Sequence, residues 1–145
     1  MSAPHVVSPE LFRERFEAEA LRHNRYLEPV GLLRLGPRER HTEKTALAEA
    51  FRMEIRQTDS ACALPDGSWA LLALHAGERQ LRVIARRLMD ACGEIERERG
   101  DDPSDLIGAL CGIRDTRIEA ALVWLSLGHS FESCRAGSET IICVR

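Results

Sequence analysis

The stretch Arg56-Gln-Thr-Asp-Ser-Ala-Cys-Ala-Leu-Pro-Asp-Gly-Ser-Trp69 constrains the fold of this chain more than any other. A helix is expected to close at Ile55 and Arg56, a strand to run over Ser60–Leu64, and a second strand to return over Trp69–His75. Between them, Pro65 presets φ for the first central position of a tight turn, and Gly67 tolerates φ > 0. The hairpin falls in the middle of the element order and is expected at the centre of the sheet, with Leu64, Leu71 and Leu72 shielded from water. Arg56 and Asp59 stand three apart at the helix-to-strand corner, where both side chains are expected to face solvent.

The elements around this hairpin follow from caps and periodicity. Ser8-Pro9-Glu10 starts a helix: serine caps it, proline fits its first position, and glutamate suits its positive end. That helix continues to about Tyr26 with Phe12, Phe16, Ala20 and His23 on one face. Val30–Leu35 reads as a buried strand. Thr42 caps a second helix to about Gln57, with Leu47, Ala48, Phe51 and Ile55 inward. Glu78–Arg99 is a long amphipathic helix whose apolar stripe is Leu81, Ile84, Ala85, Leu88, Cys92 and Ile95. Leu106–Ile113 is a strand. Thr116 or Asp115 caps a fourth helix through Ile118, Ala121, Leu122 and Leu125, which Gly128 interrupts and Phe131–Arg135 continues. Thr140–Val144 is a last strand. The order is that of an α/β (α+β) chain with a ferredoxin-like βαββαβ core: a mixed central sheet flanked by helices, with an extra N-terminal helix and a C-terminal strand.

The 145 residues suffice for one domain, 1–145, with residues 1–8 expected as a flexible tail. Net charge is −3 and the pI is near 6.0, which excludes general affinity for nucleic acid. Five scattered cysteines with no Cys-x-x-Cys pair give zinc no support, and together with the lack of a signal peptide they point to the reducing cytoplasm. No apolar run approaches the roughly 20 residues of a membrane span. Ser68, His75 and Asp66 do not form a nucleophilic set, because nothing orients a base toward Ser68. The acidic run Glu94, Glu96, Glu98, Asp101 and Asp102 reads as a solvated helix end. Trp69 and Trp124 read as core or groove-lining aromatics.

Several motifs, in order, resemble the GGDEF domain of bacterial diguanylate cyclases over about Phe12 to Ile142. Asp59 is followed by five residues and then Pro65-Asp66-Gly67-Ser68-Trp69, the spacing of the family's Arg-x-x-Asp before its signature hairpin. Ile84-Ala85-Arg86-Arg87-Leu88 is similar to the family's Ile-Ala-x-Arg-Ile helix, Gly112-Ile113 to its Ser-x-Gly-Ile-Ala strand end, and Glu19…Arg22…Arg25-Tyr26…Pro29…Leu32-Leu33 to its lead-in. The resemblance implies a nucleotide-cyclase-like fold and, in active members, two Mg²⁺ ions held by carboxylates after the first strand and on the hairpin.

This sequence departs there. Leu35-Gly36-Pro37-Arg38 replaces an Asp-x-Asp pattern, and Gly67 and Ser68 stand where the two acidic residues belong. Arg38 and Arg40 are expected near the metal position. The loop Gly36–Thr45 lacks the family's nucleotide-contacting segment, and Gly128-His129…Cys134-Arg135-Ala136-Gly137-Ser138-Glu139 lacks its C-terminal Asp and Asn. The expectation is therefore a non-enzyme, with no catalytic residue, no metal and no cofactor. What the resemblance leaves is the family's inhibitory site for cyclic di-GMP: Arg56, Asp59 and Arg87. Arginine forks can reach a phosphate or the O6/N7 edge of guanine, and an aspartate can accept from guanine N1–H and N2–H. On this reading the chain is a cytoplasmic cyclic di-GMP receptor that reports to an unidentified protein partner or a second copy of itself. The alternative is an interaction or dimerisation module that binds no nucleotide, with Arg56 and Asp59 joined in a corner salt bridge and Arg87 merely solvated.

Overall fold

Ser8 begins the first helix as its position predicts: its hydroxyl accepts a hydrogen bond from Leu11 N–H, and Pro9 opens the helix. In the computed structural model, which describes residues 5–40, 44–114 and 116–144, nine elements follow in order. They are α1 (Pro9–Tyr26), β1 (Val30–Pro37), α2 (Thr45–Glu54), β2 (Ser60–Ala63), β3 (Trp69–Leu74), α3 (Glu78–Arg99), β4 (Leu106–Ile113), α4 (Ala120–Ala136) and β5 (Ile141–Cys143). The sheet order is β2-β3-β1-β4-β5. The first four strands pair antiparallel, and β5 adds parallel to β4 after the α4 crossover. This is the expected βαββαβ core (β1 to β4) with two helices, α1 and α4, and one strand, β5, added.

Strand alternation divides the core into two layers. Leu33, Leu35, Leu71, Ala73 and Leu110 face α2 and α3, where they meet Leu47, Phe51, Leu81 and Leu88. Val30, Leu32, Ala70, Leu72, Ile107 and Ala109 face α1 and α4, where they meet Phe12, Phe16, Leu127 and Phe131. The α1 face is the one its spacing predicts, including a fully enclosed His23, whose Nδ1 and Nε2 each lie 2.7 Å from a carbonyl oxygen, of Glu28 and Thr116.

Several expectations need correction. The hairpin is not central: β2 is an edge strand, and although Leu71 and Leu72 are buried, Leu64 is only half-buried. Residues 5–8 are not a free tail, because Val6 bridges Ala61 in parallel and covers that edge. Leaving such an edge bare would invite pairing with other chains. The turn itself is as expected: Pro65 takes its first central position, Gly67 N–H donates to Leu64 C=O at 3.1 Å, and Gly67 takes φ 90°. Helix α2 stops at Glu54, since Ile55 turns extended (ψ 144°). Thr42 and Asp115, the proposed caps, lie outside the described residues. Helix α4 starts at Ala120 rather than Thr116, because Asn24 holds Ile118 by both its C=O and its N–H, at 2.7 Å each. It runs unbroken through Gly128. Leu122 and Leu125 are exposed, and Leu127, Phe131 and Cys134 fill the core instead. Glu96 is buried rather than solvated; it accepts hydrogen bonds from the Ser104 N–H and hydroxyl and so fastens the loop before β4.

Candidate functional site

The C-terminal end of β1 and the β2–β3 turn meet at one corner, and arginines fill it. Arg34 is the one charged residue within the apolar strand Val30–Pro37. Its Nη2 donates to Asp66 Oδ2 at 2.8 Å and its Nε to Ser68 Oγ at 3.1 Å. Arg135, from the last turn of α4, reaches the same Asp66 oxygen at 3.4 Å, donates to Glu132 at 2.8 Å, and satisfies the carbonyls of Arg38 and Pro37. Both guanidiniums sit over the Phe131 ring, at 4.8 and 5.0 Å from its centroid. The Ser68 amide and hydroxyl occupy the other Asp66 oxygen, Oδ1, at 3.0 and 2.6 Å. Burial alone would push the Asp66 carboxyl up. The Ser68 hydroxyl and amide and the Arg34 guanidinium outweigh it and hold the carboxyl at about 2.

Arg38 does not crowd this corner, and Arg40 borders it through Glu132, the carboxylate that Arg135 also holds. Arg38 turns away to cap α4, donating to the carbonyls of Cys134, Gly137 and Glu139 and to the Asp105 carboxylate, and Arg40 pairs with Glu132. The cations that matter here are Arg34 and Arg135. Sequence reading passed over Arg34, although an arginine inside an otherwise apolar strand was a signal that a carboxylate had to meet it.

Beside the turn lies a cleft of about 530 Å³ between residues 6–9, the start of α2 and the hairpin, with Lys44, Arg52 and the edge of Trp69 on its wall. Trp69 stacks on Phe51 with ring centroids 5.0 Å apart and is fixed in the core. The buried thiols are inert: burial pushes Cys62 and Cys92 up to about 12, and raises Cys111 and Cys134 too.

Arg56 and Asp59 lie on another part of the surface, and they bind each other. Asp59 Oδ2 accepts from the Arg56 amide at 3.1 Å and from its Nε at 3.2 Å, and Oδ1 accepts from Nη2 at 3.1 Å. The Asp59 side chain is 1% exposed and that of Arg56 46%. The expectation that both face solvent holds for Arg56 alone. The reason is local: with Ile55 extended, the chain turns so that Asp59 N–H meets Arg56 C=O at 3.0 Å, and the carboxylate folds back over that turn. Arg87 is exposed on α3, in an open groove of about 580 Å³ that also takes in Arg82, Arg86, Asp90 and Glu54.

No protein-family model matches the sequence, and no curated protein does. Solved structures do. The chain superimposes on the GGDEF domain of TpbB (YfiN) from Pseudomonas aeruginosa with a TM-score of 0.78 at 12% identity, covering 97% of this chain and 91% of that one. The fold is that of a GGDEF domain. The active GGEEF domain of a diguanylate cyclase from Vibrio cholerae gives a TM-score of 0.76 at 10% identity, over 94% of this chain and 96% of that one. The GGDEF domain of DgcB from Caulobacter crescentus, in complex with c-di-GMP, gives 0.73 at 10% identity, over 97% and 89%.

A GGDEF fold raises the question of magnesium, and the residues here do not fit it. Hard divalent ions need several oxygen ligands. Glycine stands at position 36, and a Cβ there would be 2.7 Å from Ser68 Cα and Cβ, so the approach of β1 to the turn leaves no room for a longer side chain. Asp66 is the one carboxylate of the turn, and guanidiniums and Ser68 hold both its oxygens. No cluster of three or more metal-ligating side chains occurs among the described residues. Nor is any of their helices long and apolar enough to cross a membrane.

Proposed function

We propose that this chain is a non-catalytic, cytoplasmic GGDEF-fold module that acts by binding, with cyclic di-GMP as its ligand at Arg56, Asp59 and Arg87. The single observation behind the loss of catalysis is the Arg34–Asp66–Arg135 clamp: fixed positive charge occupies the corner where metal chemistry would need carboxylates. Support for the ligand comes from the way Asp59 is held. Two of its three hydrogen bonds come from the Arg56 guanidinium. A guanine offers two parallel donors, N1–H and N2–H, which can replace Nε and Nη2 one for one while the Arg56 amide stays in place. The displaced guanidinium is then free for a phosphate or for O6/N7, and Arg87, exposed in the α3 groove that Glu54 also lines, supplies a second fork.

Calorimetry and thermal shift with cyclic di-GMP test this. The wild type should give heat and a raised melting temperature at about 100 µM ligand, an affinity of about −5.5 kcal/mol or better. Arg56→Ala and Arg87→Ala should each weaken binding about ten- to hundred-fold, the worth of a charge-assisted hydrogen bond of roughly 1.5–3 kcal/mol. Asp59→Ala should weaken cyclic di-GMP more than cyclic di-AMP. GTP with Mg²⁺ should yield no cyclic di-GMP, and measurable turnover would end the non-catalytic reading. A silent wild type would favour the second reading, a nucleotide-free interaction module, for which the near-complete enclosure of Asp59 by its own pair speaks.

A further inference from the structure

We infer that the outer face of α3 docks a second copy of this chain, antiparallel, about a two-fold axis passing level with Leu88. Arg82, Val83, Arg86, Asp90 and Glu94 are all exposed and line one groove. They recur at helical spacing, so they form a single stripe along α3. Within the groove the charge is segregated: Arg82, Arg86 and Arg87 precede Leu88, and Asp90 and Glu94 follow it, while Glu78 and Arg97 reverse the pattern beyond the two ends of the groove. Arg82 and Arg86 are like charges four apart, and so are Asp90 and Glu94, while Arg86 and Asp90 between them stand at the same spacing with opposite charge. Within the chain these side chains are sparsely paired. Arg82 lies 4.0 Å from Glu78, and among the described residues no ion pair reaches Arg86, Asp90 or Glu94.

A stripe that is basic at one end and acidic at the other is complementary to itself reversed, which is the requirement for a two-fold interface. In the antiparallel register, Arg86 faces the partner's Asp90 and Arg82 faces the partner's Glu94. The symmetry repeats both pairs, giving a ladder about 18 Å long at about 1.5 Å per residue. Val83, 53% exposed, then faces the partner's Gly93. Nothing stands within 4 Å of where a Cβ at Gly93 would be, so that position offers a hole for the valine. Arg79 falls opposite the partner's Arg97 at the two ends of the overlap, outside the groove, where water screens them. An acidic peptide or an anionic membrane would suit the basic half and be repelled by the other; a second copy satisfies both.

Exposed ion pairs are individually weak and salt-screened, and one helix face is narrower than the roughly 800 Å² per partner of stable interfaces. The dimer is therefore expected at protein concentrations on the order of 100 µM and low salt. The dimer would cover the groove that holds Arg87, so cyclic di-GMP at that residue would compete with it, and the test therefore uses the full chain without nucleotide. Sedimentation equilibrium up to about 500 µM should show a monomer–dimer equilibrium at about 25 mM salt that weakens at least tenfold at about 500 mM. Arg86→Asp and Asp90→Arg should each abolish the dimer. The double variant should restore it, and an equimolar mixture of the two single variants should form a heterodimer. Both positions are exposed, and unchanged melting of the variants confirms that they fold. A monomeric wild type across this range, a dimer indifferent to the single reversals, or a double variant that stays monomeric would each overturn the inference.

Discussion

Asp66→Ala is expected to lower folding stability by about 3–5 kcal/mol, the cost of removing one partner from a buried ion pair. The Arg34 and Arg135 side chains are only 16% and 8% exposed, and Asp66 is the carboxylate they share. Without it, two guanidiniums remain close together in a largely dry corner, with Phe131 beneath them; Arg135 keeps only the Glu132 carboxylate, which it shares with Arg40. Acid should expose part of the same effect. The folded carboxyl sits at about 2, below its unfolded value of about 3.8, so its stabilisation is complete above pH 4 and disappears as pH falls from about 4 to 2. After discounting for partial solvent screening, that contribution is roughly 1–2 kcal/mol. It is smaller than the truncation cost because a protonated Asp66 keeps its shape and its Ser68 contacts. Urea unfolding of wild type and variant at pH 7, repeated from pH 5 to 2, measures both quantities. A loss below about 1 kcal/mol at pH 7 would show that the two arginines need no counter-charge, and would remove the physical basis for the clamp.

The fold was legible where local chemistry and burial agree. Ser8-Pro9 capping, the α1 face of Phe12, Phe16 and Ala20, the bounds of α3 and the bounds of β4 all follow from spacing. The α4 face was not legible, because Ala120-Ala-Leu-Val-Trp-Leu-Ser-Leu127 is apolar on every side and periodicity cannot single out an inner stripe. Its start was missed for a non-local reason: Asn24, far back in α1, holds Ile118 extended. Strand order is also non-local, so the hairpin's place at the sheet edge could not be read from its place in the sequence. At the candidate site, it is plain in the sequence that positions 36, 67 and 68 carry glycine, glycine and serine. The clamp beside them is not, since it joins Arg34, Asp66 and Arg135 from three elements. The enclosure of Asp59 depends on the backbone turn after Ile55, which spacing alone does not specify.

Gly112→Ala is expected to cost about 3 kcal/mol or more, at the upper end of overpacking effects, because the obstruction is main chain rather than a flexible side chain. A Cβ at Gly112 would stand 2.7 Å from the Gly77 carbonyl carbon, 3.0 Å from Glu78 Cα, and closer still to the Glu78 amide nitrogen. Gly112 pairs across the sheet with Gly31, whose own Cβ would meet the Ala76 carbonyl and the Leu81 methyls at 2.9 Å. The two glycines together open a slot in β1 and β4 that receives Ala76-Gly77-Glu78, the entry to α3. Neither can be filled unless that entry lifts off the sheet. Gly93→Ala is the matched control: the site has open space, and alanine favours a helix over glycine by up to about 1 kcal/mol, so that variant should be slightly more stable. Urea unfolding at low micromolar concentration compares the two. A Gly112→Ala loss below about 1 kcal/mol would mean that the start of α3 moves freely on β4. The consequence reaches the surface, because α3 carries Arg82, Arg86, Arg87, Asp90 and Glu94 as one rigid rod. If the slot fixes that rod, Gly112→Ala at a temperature where it remains folded should weaken both cyclic di-GMP binding and self-association, although it lies under the helix and touches neither surface.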